Sequence, residues 1–126
     1  MHVQDTEVKI YAFDVDDTLE ISRGPVKFNS IMALWKEGHI IGLCGNFAVV
    51  TMNVANWHRV FSFIGPASIP GDKAFFLSQL RIYVPADEYI FVGNILGVSG
   101  GSDDQGAADR AGWRFIKESD FAEGAR

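Results

Sequence analysis

Cysteine is nearly missing from this chain: Cys44 is the only one in 126 residues. No disulfide can close within the chain, and a reducing compartment is the expected setting. Basic charge is scarce as well. Lys and Arg number 11 against 16 Asp and Glu, giving a formal net charge of −5. That balance argues against general affinity for nucleic acid or for anionic membrane, and leaves room only for a local basic pocket. Long apolar runs are missing too. The longest, IIGLCGNFAVV (Ile40 to Val50), falls well short of the roughly 20 residues that span a bilayer. The opening MHVQDTEVK lacks the basic-then-apolar order of a secretory signal. Internal repeats, linkers and low-complexity segments do not stand out. The expectation is a soluble, cytoplasmic protein with one domain over residues 1–126 and no membrane partner.

What is present is an alternation of short buried strands and helices. VKIYAF (Val8 to Phe13) reads as a buried strand, aromatic and β-branched with little alternation. Pro25 to Glu37 reads as a helix closed by Gly38, with Ile31, Leu34 and Trp35 on one face. HIIGLC (His39 to Cys44) is a second strand, and a helix is expected from about Ala48 to Phe63, ended by Gly65-Pro66. Ala67 to Pro70 has room for a very short strand. Lys73 to Ile82 reads as a helix, YIFVGN (Tyr89 to Asn94) as a strand, Asp103 to Gly112 as a helix and WRFI (Trp113 to Ile116) as a last strand. ILGVSGGS is a glycine-rich loop. This order predicts an α/β fold: a Rossmann-like three-layer sandwich with a mostly parallel central sheet. Ligands in such folds bind beyond the carboxyl ends of the strands. Three strand ends carry polar residues there: DVDDT, CGN, and GN with the SDD beyond it.

The first of these gathers Asp14, Asp16 and Asp17 within four positions. Like charges this close resist burial unless something compensates them. A hard cation such as Mg²⁺ takes oxygen ligands and keeps several waters. A carboxylate beside it can attack a phosphoryl group, and a second can protonate the leaving group and then activate water. An EF-hand calcium loop is excluded. Counting from Asp14, its sixth and twelfth positions would fall on Leu19 and Pro25, where glycine and glutamate are required. Asp17 fits turn chemistry instead. The glycines of VGNILGVSGG do not form a dinucleotide-binding pattern. His39 and His58 lack partners at ligand spacing. Trp35, Trp57, Trp113 and the Phe75-Phe76 pair read as core or interface.

KIYAFDVDDTL resembles the first motif of the haloacid dehalogenase-like superfamily, an apolar strand followed by DxDxT. HIIGLCGN resembles the second motif, GDKAFFLSQL the third, and YIFVGN with SDDQGAADRAGWRFI the fourth. The ordered set covers nearly the whole chain. The resemblance implies a Mg²⁺-dependent phosphohydrolase with Asp14 as nucleophile and Asp16 as general acid and base. Lys73 is then the phosphate-facing ammonium, a role its charge suits. Cys44, Gly45 and Asn46 are the implied substrate-binding residues. Asp14, Asp16 (through its backbone carbonyl), Asn94, Asp103 and Asp104 are the implied metal ligands.

Two departures from the pattern bear on activity. Cys44 stands where the second motif usually offers a hydroxyl, and a thiol is a weak donor. It is not a catalytic nucleophile by any visible signature. Asn94 stands where the fourth motif usually has aspartate; its amide oxygen can ligate Mg²⁺ but brings no charge. The acidic pair follows only at Asp103 and Asp104, and Asp103 also suits a helix cap. Neither gap between the first three motifs can hold a cap domain. A capless member implies a phosphorylated substrate that is itself large, or a homo-oligomer in which a neighbour serves as lid. A non-catalytic phospho-ligand or protein-binding module on the same fold is the main competing function. A signalling receiver domain ranks last, since no suitable acceptor aspartate lies between Leu43 and Gly71.

Overall fold

The computed structural model describes residues 7–66 and 72–126. Five strands form one parallel sheet: β1 (Lys9–Phe13), β2 (Ile40–Cys44), β3 (Phe61–Gly65), β4 (Glu88–Gly93) and β5 (Arg114–Lys117). Their spatial order is β3-β2-β1-β4-β5. Every pairing is parallel, with Ile10 opposite both Ile40 and Tyr89, and Gly93 opposite Lys117. The chain builds outward from β1 through β2 to β3, then crosses back to add β4 on the other side of β1. The strand order therefore reverses between β1 and β4, the place where a ligand crevice opens in such sheets.

Strand alternation sorts the side chains into two cores. Tyr11, Phe13, Ile41, Leu43, Ile90, Val92 and Ile116 face one side. There they meet α1 (Phe28–Lys36), α2 (Phe47–Asn53), α3 (Trp57–Val60) and α6 (Glu118–Ala122). Ile10, Ala12, Phe91 and Trp113 belong to the opposite core, with Ala74 and Leu77 of α4 (Asp72–Tyr83) and Ala107, Ala108 and Ala111 of α5 (Asp104–Ala111). The result is the three-layer α/β sandwich expected. Tyr11, Phe13 and Phe91 are almost wholly buried, each side chain of this kind contributing roughly 1.5–3 kcal/mol by leaving water. Trp113 ties the second core together: its indole Nε1 donates to the Leu77 carbonyl at 2.9 Å. Gly112 ends α5 in the left-handed conformation, φ 76°, where a side chain would be strained.

One expected element is corrected. The helix expected from Ala48 to Phe63 is three elements: α2, the short α3, and strand β3 over Phe61–Gly65. Asn56 adopts a left-handed φ of 60°, and the FSFIG run pairs with β2 instead of continuing a helix. The short strand expected at residues 67–70 lies outside the described residues. Helix α6 was not anticipated. Between β1 and β2 the chain forms only a 3₁₀ turn (Glu20–Ser22) and α1.

Candidate active site

Asp14 is the first residue beyond β1, and its backbone N–H still donates to Val92 of β4 at 2.9 Å. That bond holds its carboxylate at the crevice where the strand order reverses. The residue is only 3 % exposed. Lys73, in the first turn of α4, reaches Asp14 Oδ1 at 3.0 Å and Asp104 Oδ1 at 2.8 Å. Asp104 opens α5 and is fully buried. Its Oδ1 also accepts from Ser102 Oγ at 3.0 Å, and its Oδ2 accepts from the Asn94 backbone N–H at 2.9 Å. Thr18 Oγ1 donates to Asp14 Oδ2 at 3.3 Å. Residues 59 and 31 positions from Lys73 thus meet at one ammonium.

The charge count is uneven. Two carboxylates share one ammonium in a buried place, so one negative charge lacks a partner within the cluster. Burial raises the Asp14 carboxyl, the Asp104 charge raises it further, and Lys73 only partly offsets them, leaving it pushed up to about 7. Burial alone would lower the Lys73 pKa, but the attraction of Asp14 and Asp104 outweighs it and holds the group firmly protonated. The ammonium is therefore a fixed positive charge, of the kind that stabilises an incoming phosphoryl group.

Asp16 sits apart from this cluster, partly exposed. Its carboxylate accepts from Ser22 Oγ at 2.6 Å and from Asn46 Nδ2 at 3.2 and 3.4 Å. Asp17 turns away with a left-handed φ of 59° and pairs with exposed Arg23 at 3.5 Å, in keeping with its expected turn role. Asn94 is buried, and its Nδ2 donates to the Asp17 carbonyl at 3.1 Å. This bond ties the end of β4 to the Asp loop. Asp103 takes the helix-cap role: it accepts from Gly106 N–H at 3.0 Å and lies 3.8 Å from Arg110. Cys44 is fully buried within the α4/α5 core, and burial pushes its thiol up to about 12. Its position is that of a packing residue beneath the site.

Three glycines make the cluster sterically feasible. A Cβ on Gly45 would collide with Asp14 Oδ1, and one on Gly93 with the Asp104 carboxylate. A Cβ on Gly100 would lie 2.6 Å from the Asn94 side-chain carbon. Gly45 therefore serves as the space Asp14 needs. Ser22, Ser102 and Thr18 are site residues that the motif reading did not single out; only Thr18 had a signal, as the last residue of DxDxT.

Asp14 and Asn94 directly follow the adjacent strands β1 and β4, with Asp16 two residues beyond Asp14, so oxygen donors suited to a hard cation come from one end of the sheet. Both oxygens of Asp14 and both of Asp104 already accept hydrogen bonds. Among the described residues no three His, Cys, Asp or Glu side chains gather as a ligand group. Mg²⁺ does not require that, since one or two carboxylates, a carbonyl and several waters complete its octahedron. The uncompensated charge at Asp14 and the all-oxygen donor set fit such a cation. Compared with known protein families, curated proteins and solved structures, the chain matches none of them.

Proposed function

We propose that the protein is a Mg²⁺-dependent phosphomonoesterase of the haloacid dehalogenase-like type, working through an aspartyl-phosphate on Asp14. The observation that carries this reading is the contact of Lys73 with both Asp14 and Asp104 at the carboxyl end of β1. A nucleophilic carboxylate and a fixed cation stand together where a phosphate would enter. Lys73 orients the phosphoryl oxygens and offsets the charge that builds on them. An Asp14 oxygen forms the new bond to phosphorus while the bond to the leaving oxygen breaks. The electron pair goes to that oxygen, and Asp16 gives it a proton. Asp16 then takes a proton from water as the water attacks phosphorus, which frees phosphate and restores the Asp14 carboxylate. Asp14, the Asp16 carbonyl and Asn94 would hold Mg²⁺, which when bound would neutralise charge on the phosphoryl oxygens.

The competing reading is a phospho-ligand-binding module without turnover, favoured by the neutral Asn94 and the buried Cys44. Hydrolysis of p-nitrophenyl phosphate with and without Mg²⁺, for wild type and Asp14→Asn, separates the two. The phosphatase reading expects Mg²⁺-dependent turnover in wild type, none in Asp14→Asn, and a phosphate adduct on the wild-type peptide that carries Asp14. Phosphate binding without turnover would favour the module.

A further inference from the structure

Asn46 occupies the N-cap of α2, where an asparagine side chain ordinarily accepts from the backbone of its own helix. It makes no such bond. Its amide reaches across to Asp16 instead, with Nδ2 3.2 Å from Oδ2 and 3.4 Å from Oδ1. An ionised carboxylate only accepts, so the NH₂ end of the amide faces it. From the other side Ser22 donates its hydroxyl to Asp16 Oδ1 at 2.6 Å. The Ser22 carbonyl also accepts from the Asp17 N–H at 2.8 Å. Ser22 closes the 3₁₀ turn, and the flanking Asp17 and Arg23 both take left-handed φ values, 59° and 67°. Backbone strain on both sides is consistent with a segment bent to bring Ser22 against the carboxylate.

We infer that Asn46 and Ser22 are positioning residues for Asp16, and that Asn46 acts there instead of as a phosphate ligand. The inference rests on the phosphatase reading. Ser22 holds Oδ1 and Asn46 spans both oxygens, so the carboxyl group is fixed in one orientation. As the phosphorus–oxygen bond breaks, the leaving oxygen keeps the electron pair and takes the proton from the carboxyl group while these contacts hold it. A freed carboxyl would swing, and its proton would meet the leaving oxygen less often. Formation of the aspartyl-phosphate would slow only on substrates that need the proton, while its hydrolysis, in which Asp16 takes a proton from water, would slow alike for every ester.

The test measures kcat and KM for p-nitrophenyl phosphate, whose leaving group departs unaided, and for glycerol 2-phosphate, whose alkoxide does not. Asn46→Ala and Ser22→Ala are each expected to lower kcat/KM on the alkyl ester about tenfold, part of the full general-acid contribution. On the aryl ester kcat/KM, which reports formation of the aspartyl-phosphate and not its hydrolysis, stays within about twofold for both, the pattern of lost proton delivery. Ser22→Thr restores the alkyl rate, and in an Asp16→Asn background Asn46→Ala costs nothing further. A kcat/KM that falls alike on both esters would overturn the positioning role and return Asn46 to the phosphate. If wild type turns over and Asp14→Asn does not, that outcome sinks this inference alone. If wild type hydrolyses no ester, the phosphatase reading fails and the positioning role fails with it.

Discussion

Asp14 ionises beside Asp104, with one ammonium between the two. Its carboxyl is raised in the folded chain to about 7 from an ordinary 3.8, so the folded state holds a proton that the unfolded state has already lost between those values. The stability this confers is fully present below about pH 4 and is lost as pH rises through about 7. Asp14→Asn removes the ionising group and leaves Lys73 paired with Asp104 alone. Without divalent metal, the variant is expected to be the more stable protein at pH 8. The gain has an upper bound of about 4 kcal/mol at roughly 1.4 per pKa unit, and it should vanish near pH 4. Urea denaturation in EDTA at both pH values checks it; a variant less stable than wild type at pH 8 would contradict the uncompensated charge. Activity should move the opposite way, with kcat falling on the order of 10³-fold or more. Asp14, Asp16, Lys73 and Asp104 were legible in the sequence because carboxylates and lysine at strand and helix ends are conspicuous chemistry. Ser22 and Ser102 were not. Serine is common in loops, and what marks these two is a hydrogen bond to a carboxylate nearby in the chain, Asp16 for Ser22 and Asp104 for Ser102, a contact that loop composition does not announce. Gly45, Gly93 and Gly100 are a third case: their significance is the volume they leave empty for Asp14, Asp104 and Asn94.

Elements were legible where length and burial agreed and illegible where two patterns competed. β1, β2 and β4 carry continuous apolar runs, β5 has only Phe115 and Ile116 between Arg114 and Lys117, and the all-parallel sheet follows from their alternation with helices. The stretch from Ala48 to Phe63 carries enough apolar residues for a helix, yet its last part is β3. Phe61, Ser62 and Phe63 are poor helix formers, and Gly42 of β2 leaves space that the Phe63 ring fills. Sheet pairing at that spot outweighs helical periodicity. The loop from Ile95 to Ser102 reads from composition only as glycine-rich, and it is folded on itself. Ile95 N–H donates to Ser99 Oγ at 3.0 Å, and Leu96 bridges to Gly100. Its end then presses Gly100 against Asn94 and delivers Ser102 to Asp104. Gly100→Ala is therefore expected to displace Asn94, costing about 1–3 kcal/mol as other overpacked sites do, and to raise the Mg²⁺ concentration needed for half-maximal rate. Gly101→Ala is the control, since a Cβ there meets nothing within 4 Å. Equal stability and equal Mg²⁺ requirement in the two variants would show that the loop does not brace Asn94.

At the scale of the whole molecule, a cation that binds only the folded site must raise its stability. Saturating Mg²⁺ is expected to lift the melting temperature of wild type by several degrees, at roughly 4 °C per kcal/mol for a chain of this size. Asp14→Asn should lose most of that shift; an identical shift in both proteins would place the metal elsewhere. Only a 3₁₀ turn and α1 separate β1 from β2, so no cap domain lies in that gap. Two elements that carry the cluster also carry exposed apolar groups. Phe75 of α4 is 67 % exposed, two residues from Lys73; Leu96 and Val98, in the loop that ends at Ser102, are 56 % and 71 % exposed. Without a cap between these strands, little binding energy from the rest of a small substrate can be directed to the reacting phosphate. Closure is therefore expected from outside, by the bulk of a macromolecular phosphoester or by a neighbouring copy of the chain set over these apolar groups. Light scattering through a dilution series, run beside kinetics on small and macromolecular phosphoesters, tests it. The expected result is kcat/KM at least tenfold higher on a phosphorylated peptide or nucleic-acid end than on small esters, or activity on small esters that falls as a dimer dissociates. Phe75→Ser and Val98→Ser should erode whichever advantage is found, while p-nitrophenyl phosphate turnover by the monomer stays unchanged. A protein that remains a monomer at every concentration and works best on one small metabolite would overturn closure from outside.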